Sequence, residues 1–338
     1  MTFTATVVGT GFSFACEPGV TILDAADAAG LELPYSCRKG VCGNCKGEVV
    51  SGRIDSLPGG DALSAAEAER GCALFCRAVP CSDVEIRTPQ IRRKDPNARK
   101  TVDAKVHRVA RAADDVSIIA LRFPAGTRVK FRAGQYLEVL LEDGHRRAFS
   151  MANPPHQNDG AELHVRHVAG GLFTERVLPS LQAGDRLRVE LPFGNFHLND
   201  ERDDPAILVA SGTGFAPMKS ILEAAFRAKS QRRFVLYWGA RRRKDLYLAE
   251  LPLKWQSQHP NFSFVPVLSE PAPQDQWTGR IGLVHRIVME DYPMLQQHEI
   301  YACGVPAMVN AARRDFCEAC GLAPDAFHCD AFASPSGV

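Results

Sequence analysis

Four cysteines carry the first chemistry in this chain. Cys37, Cys42 and Cys45 stand at C-x4-C-x2-C spacing in a run broken by Gly40 and Gly43, and Cys76 follows at a distance, after Leu74 and Phe75. Three thiolates from one loop and a fourth from elsewhere is a spacing that holds the two irons of a [2Fe–2S] cluster. To bring three ligands onto two irons, the backbone must fold back sharply. Gly40 and Gly43 allow conformations that a Cβ forbids, and they let amide N–H groups approach the sulfurs. Other uses of cysteine fit less well. Eleven cysteines in 338 residues, without an export signal, do not read as a disulfide framework. Zinc usually takes two short C-x2-C pairs. Cys72 and Cys81 compete with Cys76 for the fourth place. Cys76 is preferred because Leu74 and Phe75 can anchor it beside the loop, whereas Cys81 follows Pro80 in an outward turn.

Glycine turns carry the second chemistry. The apolar run from Ala206 to Ala210 leads into Ser211, Gly212, Thr213 and Gly214. A helix follows with Met218, Ile221, Leu222, Ala225 and Phe226 on one face. Strand, glycine-rich turn and helix is a layout that binds a pyrophosphate, although this turn lacks the G-x-G-x-x-G fingerprint. Gly170 and Gly171 entering a helix offer a second anion site. A one-electron iron–sulfur centre beside a dinucleotide site needs a converter, because hydride carries two electrons. Flavin is the usual converter, so FAD or FMN is expected in the middle of the chain.

The elements that must position these groups fall into three blocks. Residues 1–88 read as a small β-rich unit with one helix from Thr21, ended by Gly30, whose Ile22, Leu23, Ala26 and Ala29 form a core face. A capping box at Ser64 and Glu67 opens a second helix. Residues 89–101, with two prolines and five basic residues, read as a solvated linker. Residues 102–203 alternate in short strands, as in a small antiparallel barrel, and residues 204–338 alternate strand and helix, as in a doubly wound α/β sheet. Formal net charge of +1 argues against nucleic acid as a partner. No run of about 18 apolar residues suggests a membrane span. The first residues lack a basic segment followed by an apolar one, so a cytoplasmic location is expected.

The three blocks resemble known proteins in this order. Residues 1–88 resemble plant-type ferredoxin, a β-grasp fold, and residues 102–338 resemble the ferredoxin–NADP reductase superfamily. Together they resemble the single-chain reductase components of aromatic-ring oxygenases, through runs such as Leu33 to Gly40 and Ser150 to Pro155. Arg147, Ala148, Phe149 and Ser150 match the family's R-x-Y/F-S motif. The resemblance implies Arg147 on the FAD pyrophosphate, Phe149 against the isoalloxazine, and Ser150 near its N5. Phe149 stands where Tyr is usual, which keeps stacking and loses a hydroxyl. His164, Val165 and Arg166 match the strand along the flavin, and Gly171, Leu172 and Thr174 match its pyrophosphate turn.

On the nicotinamide side, Gly212, Thr213 and Gly214 match the family's pyrophosphate loop. Cys303, Gly304, Val305 and Pro306 match C-G-x-P, in which the cysteine approaches the nicotinamide. Phe332 matches an aromatic that covers the flavin and is displaced for hydride transfer. Asp330 is a proton carrier or an ordinary surface carboxylate. Arg241 to Lys244 lie where the adenosine 2′ position would be, with no acid until Asp245, so NADPH is expected to be accepted, with or without NADH. The implied activity is electron transfer from NAD(P)H through FAD and [2Fe–2S] to a Rieske-type terminal oxygenase. Arg38, Lys39 and Val41 are expected at the partner's face, because Cys37 and Cys42 hold the outer iron in that family. Alternatives are the reductase of a di-iron monooxygenase or of a deoxysugar dehydrase, or a redox sensor.

Overall fold

The computed structural model describes residues 2–60, 62–95 and 98–332. It divides between Arg99 and Lys100 into two compact units.

In the first unit, alternation sets the sheet. Phe3–Val7 and Phe12–Cys16 form a hairpin, and Ala5, Val7, Phe14 and Cys16 all turn to one buried face. Phe3–Val7 pairs in parallel with Val84–Arg87. The five-stranded order continues through Lys46–Ser51 to Cys72–Leu74. Helix Ile22–Ala28 starts at Thr21, whose hydroxyl accepts the Asp24 N–H. It packs Ile22, Leu23, Ala25 and Ala26 inward. The expected Ala29 is exposed, because the helix ends one residue earlier and Ala25 takes its place on the inner face. The Ser64–Glu67 capping box forms as expected.

The expected solvated linker is instead a strap on this unit. Arg92–Arg93 pairs antiparallel with Leu31–Glu32, and Arg92 meets Glu32 at 2.8 Å. Lys94 and Arg99 both reach Asp27, at 2.9 and 3.5 Å, and Arg99 donates to the Tyr35 hydroxyl at 3.3 Å. Burial works against the Asp27 charge, but Lys94 and Arg99 hold its carboxyl below the usual range. The basic residues are therefore paired by acids about 60 positions away, which no local reading of charge reveals.

The second unit contains two sheets. Its antiparallel sheet runs in the order Arg146–Ser150, Tyr136–Leu140, Arg186–Phe193, Lys100–Ala113, Val116–Arg122, Gly160–Arg166. Its concave side is filled by Val106, Ile119, Leu121, Leu137, Val139, Leu163, Val165 and Val189. The expected closed barrel is not formed. The two end strands share only one bridge, Met151 to Leu163. Asn153 is followed by Pro154 and Pro155, which have no N–H to extend a ladder, so pairing stops there.

The other sheet is wholly parallel, in the order Arg280–Ile281, Phe262–Leu268, Phe234–Ala240, Ala206–Ser211, Glu299–Gly304, Phe327–Ala331. The chain moves outward from Ala206–Ser211 on one side, then returns to its other side. The strand order therefore reverses between Ala206–Ser211 and Glu299–Gly304, and the turns leaving these two strands flank a crevice. Helix Phe215–Arg227 springs from the first turn and buries Met218, Ile221, Leu222 and Ala225 as expected, with Phe226 half-buried against the same core.

Candidate functional site

The cysteine loop is held by its backbone. Gly40 and Gly43 sit at φ +77° and +73°, and Arg38 at +55°. A Cβ on Gly40 would stand 3.1 Å from the Cα of Gly60 and from the Arg77 side chain, so this turn is packed as well as bent. Among the described residues no three His, Cys, Asp or Glu side chains close on one ion. The four thiols instead fall into two pairs, as two irons would divide them. Cys45 Sγ lies 3.2 Å from Cys76 Sγ, and Cys37 Sγ interacts with Cys42. Cys37 Sγ also accepts the N–H groups of Lys39 and Cys42, each at 3.4 Å. Cys42 and these main-chain donors pull the Cys37 thiol down to about 6 against the effect of burial. Contact with Cys76 holds the Cys45 thiol low, while Cys76 itself is pushed up by Cys45. Cys42, Cys45 and Cys76 are buried and Cys37 is half-buried. Cys72 belongs to a strand and Cys81 to a turn, where its thiol faces the Val79 carbonyl. Thiolate donors in pairs, with N–H groups aimed at sulfur, fit a [2Fe–2S] cluster.

On the antiparallel sheet, Arg147 has a buried Nε without a hydrogen-bond partner, although its Nη1 donates to the Arg146 carbonyl. An unsatisfied buried guanidinium nitrogen at the edge strand is what a phosphate oxygen would complete. Phe149 is half-buried, with its ring 4.9 Å from Phe173, and Ser150 is buried. The strand carrying His164, Val165 and Arg166 lies across the sheet's open edge. His167 N–H bonds to the Asp115 carbonyl and Phe123 N–H to Asp159, so in this register Val165 faces Ser117 as a hydrogen-bonded pair. The main-chain polar groups of His164 and Arg166 therefore turn away from that neighbour. The side chains have other tasks. Val165 fills the core, and the His164 ring is wholly buried between Tyr247 and Glu162. Burial pushes the His164 imidazole below its usual range. Arg166 pairs with Asp115 at 2.7 Å, and its guanidinium lies against Gly212, where a Cβ would meet it at 2.9 Å.

The expected helix after Gly171 is a single π turn, Phe173–Val177. The Gly170 N–H is taken by Glu175 at 2.6 Å, and the Thr174 hydroxyl donates to the Val168 carbonyl at 2.8 Å. A Cβ on Gly171 would meet that hydroxyl at 2.5 Å. Thr174 thus braces the turn, with Leu172 half-buried beside it.

At the crevice of the parallel sheet, Gly212, Thr213 and Gly214 form a short 3-10 turn. A Cβ on Gly214 would lie 2.1 Å from the Cys303 carbonyl oxygen, and one on Gly304 would lie 2.0 Å from Ser211 Oγ. Ser211 Oγ accepts the Val305 N–H at 3.1 Å, which stitches the two turns together. The last strand, absent from the sequence reading, sets Asp330 opposite Cys303, and Phe332 donates its N–H to the Gly304 carbonyl at 2.8 Å. Cys303 and Gly304 therefore meet the Gly212 turn, and Asp330 and Phe332 flank them from the next strand. Cys303 is fully buried, and burial, with Asp330 nearby, pushes its thiol up. Asp330 is buried rather than a surface carboxylate. In the basic run, Lys244 pairs with Asp114, and Arg243 donates to the Asp275 carbonyl at 3.3 Å. Arg241 is exposed.

Sequence reasoning missed Tyr247, Lys219 and Glu162, which join the two sheets. Their partners lie 83 and 67 positions away, or sit on another element, and no motif spans such distances.

Comparison with known proteins covers the same three blocks. The family described as "2Fe-2S iron-sulfur cluster binding domain" matches residues 5–81, "Oxidoreductase FAD-binding domain" matches 103–198, and "Oxidoreductase NAD-binding domain" matches 208–314. Terephthalate 1,2-dioxygenase reductase component 1 of Comamonas sp is 43% identical over 96% of each chain. The CDP-6-deoxy-L-threo-D-glycero-4-hexulose-3-dehydrase reductase of Yersinia pseudotuberculosis is 36% identical over 95% of this chain and 96% of its own. Among solved structures, an Amycolatopsis cytochrome P450 reductase superposes with a TM-score of 0.78 at 36% identity, covering 99% of this chain and 100% of its own.

Proposed function

The chain belongs to the family of single-chain iron–sulfur flavoprotein reductases that includes the terephthalate 1,2-dioxygenase reductase components, and we propose that it supplies electrons to a Rieske-type terminal oxygenase of that aromatic-ring class. It is an oxidoreductase that uses NAD(P)H, FAD and a [2Fe–2S] cluster. When bound, FAD takes up the two electrons of a hydride and the cluster carries them onward singly.

The residues divide this work. Cys37, Cys42, Cys45 and Cys76 hold the cluster. Arg147 holds the flavin pyrophosphate through the nitrogen that the fold leaves unsatisfied, beside the turn of Gly171, Leu172 and Thr174. Ala148, Phe149 and Ser150 border the ring, and His164 and Arg166 offer main chain and one guanidinium along it, with Val165 between them anchoring the strand to the core. Gly212, Thr213 and Gly214 receive the nucleotide pyrophosphate and Arg241 its 2′ side. Cys303 and Gly304 wall the nicotinamide site, Phe332 covers the flavin face and gives way to the nicotinamide, and buried Asp330 stands beside Cys303 as a proton carrier. In this reading 1–88, 102–203 and 204–338 are β-grasp, flavin and doubly wound nucleotide domains. Eleven free thiols suit a reducing cytoplasm.

The observation that carries the reading is the end-to-end match to dioxygenase reductases at 43–44% identity. The dehydrase-reductase alternative rests on the 36% match. A sensor would not need both complete nucleotide-binding blocks. As purified, the protein should show flavin and iron–sulfur absorbance that NAD(P)H bleaches within seconds, and should reduce cytochrome c catalytically. Absence of bound flavin would sink the proposal. Cys76→Ser should lose iron and keep NAD(P)H-to-dye turnover, and full iron content in that variant would overturn the ligand set. Co-purification with candidate oxygenases tests the partner.

A further inference from the structure

A buried polar chain joins the flavin-bearing sheet to the nucleotide-binding helix, and of its members only His164 lies in a motif. Its centre is His164, whose side chain is 0% exposed. His164 Nε2 lies 3.2 Å from Glu162 Oε1 and Nδ1 lies 2.9 Å from the Tyr247 hydroxyl. A carboxylate only accepts, so Nε2 carries the proton and donates to Glu162, and Nδ1 accepts from Tyr247. Burial opposes the Glu162 charge, but His164 and Lys219 hold its carboxyl down at about 2. The direction of the chain is thereby fixed, from Tyr247 to His164 to Glu162.

The second half of the chain lies on helix Phe215–Arg227. Lys219 is nearly buried and reaches Glu162 at 3.3 Å, Glu223 at 3.1 Å and the Ala152 carbonyl at 3.2 Å. The next residue, fully buried Ser220, donates to the Asn153 carbonyl at 2.7 Å. Asn153 in turn accepts the Glu162 N–H at 2.9 Å. Ala152 and Asn153 come two and three residues after Ser150, where the ladder between the end strands dwindles to the Met151–Leu163 bridge and the bond from the Ala152 N–H to the Glu162 carbonyl at 2.8 Å. The helix that grips them begins at the Gly212–Gly214 turn. Tyr247 closes the circuit from the other side, its ring edge-on to Trp238, whose indole N–H donates to the Gly212 carbonyl at 3.0 Å.

We propose that Tyr247, His164, Glu162, Lys219 and Ser220 form a strut that sets the position of the Arg147–Ser150 strand against the Gly212–Gly214 turn, so that Tyr247 and Ser220 are positioning residues for hydride transfer. The pairing of the flavin edge thins out after Ser150, and the strut adds side-chain bonds from the nucleotide half to the Ala152 and Asn153 carbonyls there. This inference rests on the functional reading above.

Tyr247→Phe keeps the ring packing and removes only the hydroxyl, and Ser220→Ala removes one hydroxyl at the other end. In stopped-flow reduction of the holoenzyme by NAD(P)H, each variant should lower the flavin-reduction rate about tenfold at saturating nucleotide, with KM changed less than twofold. The isotope effect with 4-deuterated nucleotide should rise in both. Amide hydrogen exchange at residues 150–153, measured without nucleotide, should accelerate in both. If both variants reduce flavin within twofold of wild type with an unchanged isotope effect, the strut is structural only and the proposal fails, whatever happens to Tm. A wild-type protein that NAD(P)H does not bleach would instead refute the reductase reading, and exchange at 150–153 would still report on the strut.

Discussion

One methyl group at Gly214 tests whether the two turns of the parallel sheet form the nicotinamide site. A Cβ there would lie 2.1 Å from the Cys303 carbonyl oxygen, 2.5 Å from its carbonyl carbon and 2.9 Å from the Gly304 nitrogen. All three are backbone atoms of an adjacent strand, so no flexible side chain can give way. Ordinary contact begins at 3.4 Å, so the Gly212–Gly214 turn must move about 1.3 Å from the Cys303–Gly304 turn. Backbone strain adds nothing, because Gly214 has φ −58°. A displacement of about 1 Å from the reactive geometry costs on the order of 100-fold in rate, or about 2.7 kcal/mol of barrier. Gly214→Ala should therefore bind FAD and iron as wild type does, yet its flavin should be reduced by saturating NAD(P)H about 100-fold more slowly. Anaerobic stopped flow at the flavin and cluster bands measures this, with dithionite as a reductant that needs no nucleotide site. Gly184→Ala is the control. It places a side chain at φ +106° with nothing within 4 Å, so it should lower stability and leave flavin reduction unchanged. Flavin reduction in Gly214→Ala within threefold of wild type would refute the assignment of these turns to hydride transfer.

Three further expectations follow from other contacts. Glu299 is fully buried against Arg232 at 2.5 Å, Tyr301 at 2.9 Å and His328 at 3.0 Å, and these outweigh burial to hold its carboxyl at about 2 rather than 4.5. A depressed carboxyl stabilises the fold above its unfolded value. That contribution, about 3 kcal/mol, should fade as pH falls from about 4.5 to 2. The stability gap between wild type and Glu299→Gln in urea titrations should accordingly shrink across that window, and a constant gap would contradict the assignment. Arg241→Ala with Arg242→Ala should raise KM for NADPH about tenfold and leave KM for NADH unchanged, since a 2′-phosphate is the difference between them; equal effects would place these arginines elsewhere. Lys39→Glu should slow electron transfer to the oxygenase several-fold at low salt and much less at high salt, and a salt-independent result would remove Lys39 from the docking face.

Local spacing made the chemistry legible, and long-range pairing hid the rest. The cysteine loop could be read because ligand spacing and two glycines are consecutive features of one segment, and Gly40 and Gly43 do adopt positive φ. The strand–turn–helix at Ser211–Gly214 was legible for the same reason. The strap could not be read, because Asp27 and Glu32 lie on the far side of the cluster loop from the arginines and lysine they bind. Closure of the barrel was over-read. Alternation reports strands, but it does not say whether the two end strands pair, and Pro154 and Pro155 stop that pairing. The role of His164 was only half visible. Its place on the flavin strand came from resemblance, whereas its ring is committed to Tyr247 and Glu162, contacts that exist only once both sheets are assembled.

The identity of the partner sits at a different level from the fold. Relatives that match this chain nearly end to end are named as reductases of a dioxygenase and of a deoxysugar dehydrase, and a solved relative as a P450 reductase. A scaffold shared among such names cannot itself select the acceptor. Selection must lie in side chains at the surface around the cluster loop. In the proposed site the cysteines are ligands, Gly40 and Gly43 are fixed by backbone geometry, and Arg38 is paired with Asp24 and stacked on Tyr35 at 4.8 Å. The segment from Leu57 to Gly60 is clamped over Gly40, with Arg77 donating to the Pro58 carbonyl and the Ala62 N–H meeting the Gly40 carbonyl at 3.2 Å. Lys39 and Leu57 are exposed beside half-buried Val41. Changes confined to these three positions should therefore alter the rate of transfer to the acceptor and leave the iron content unchanged.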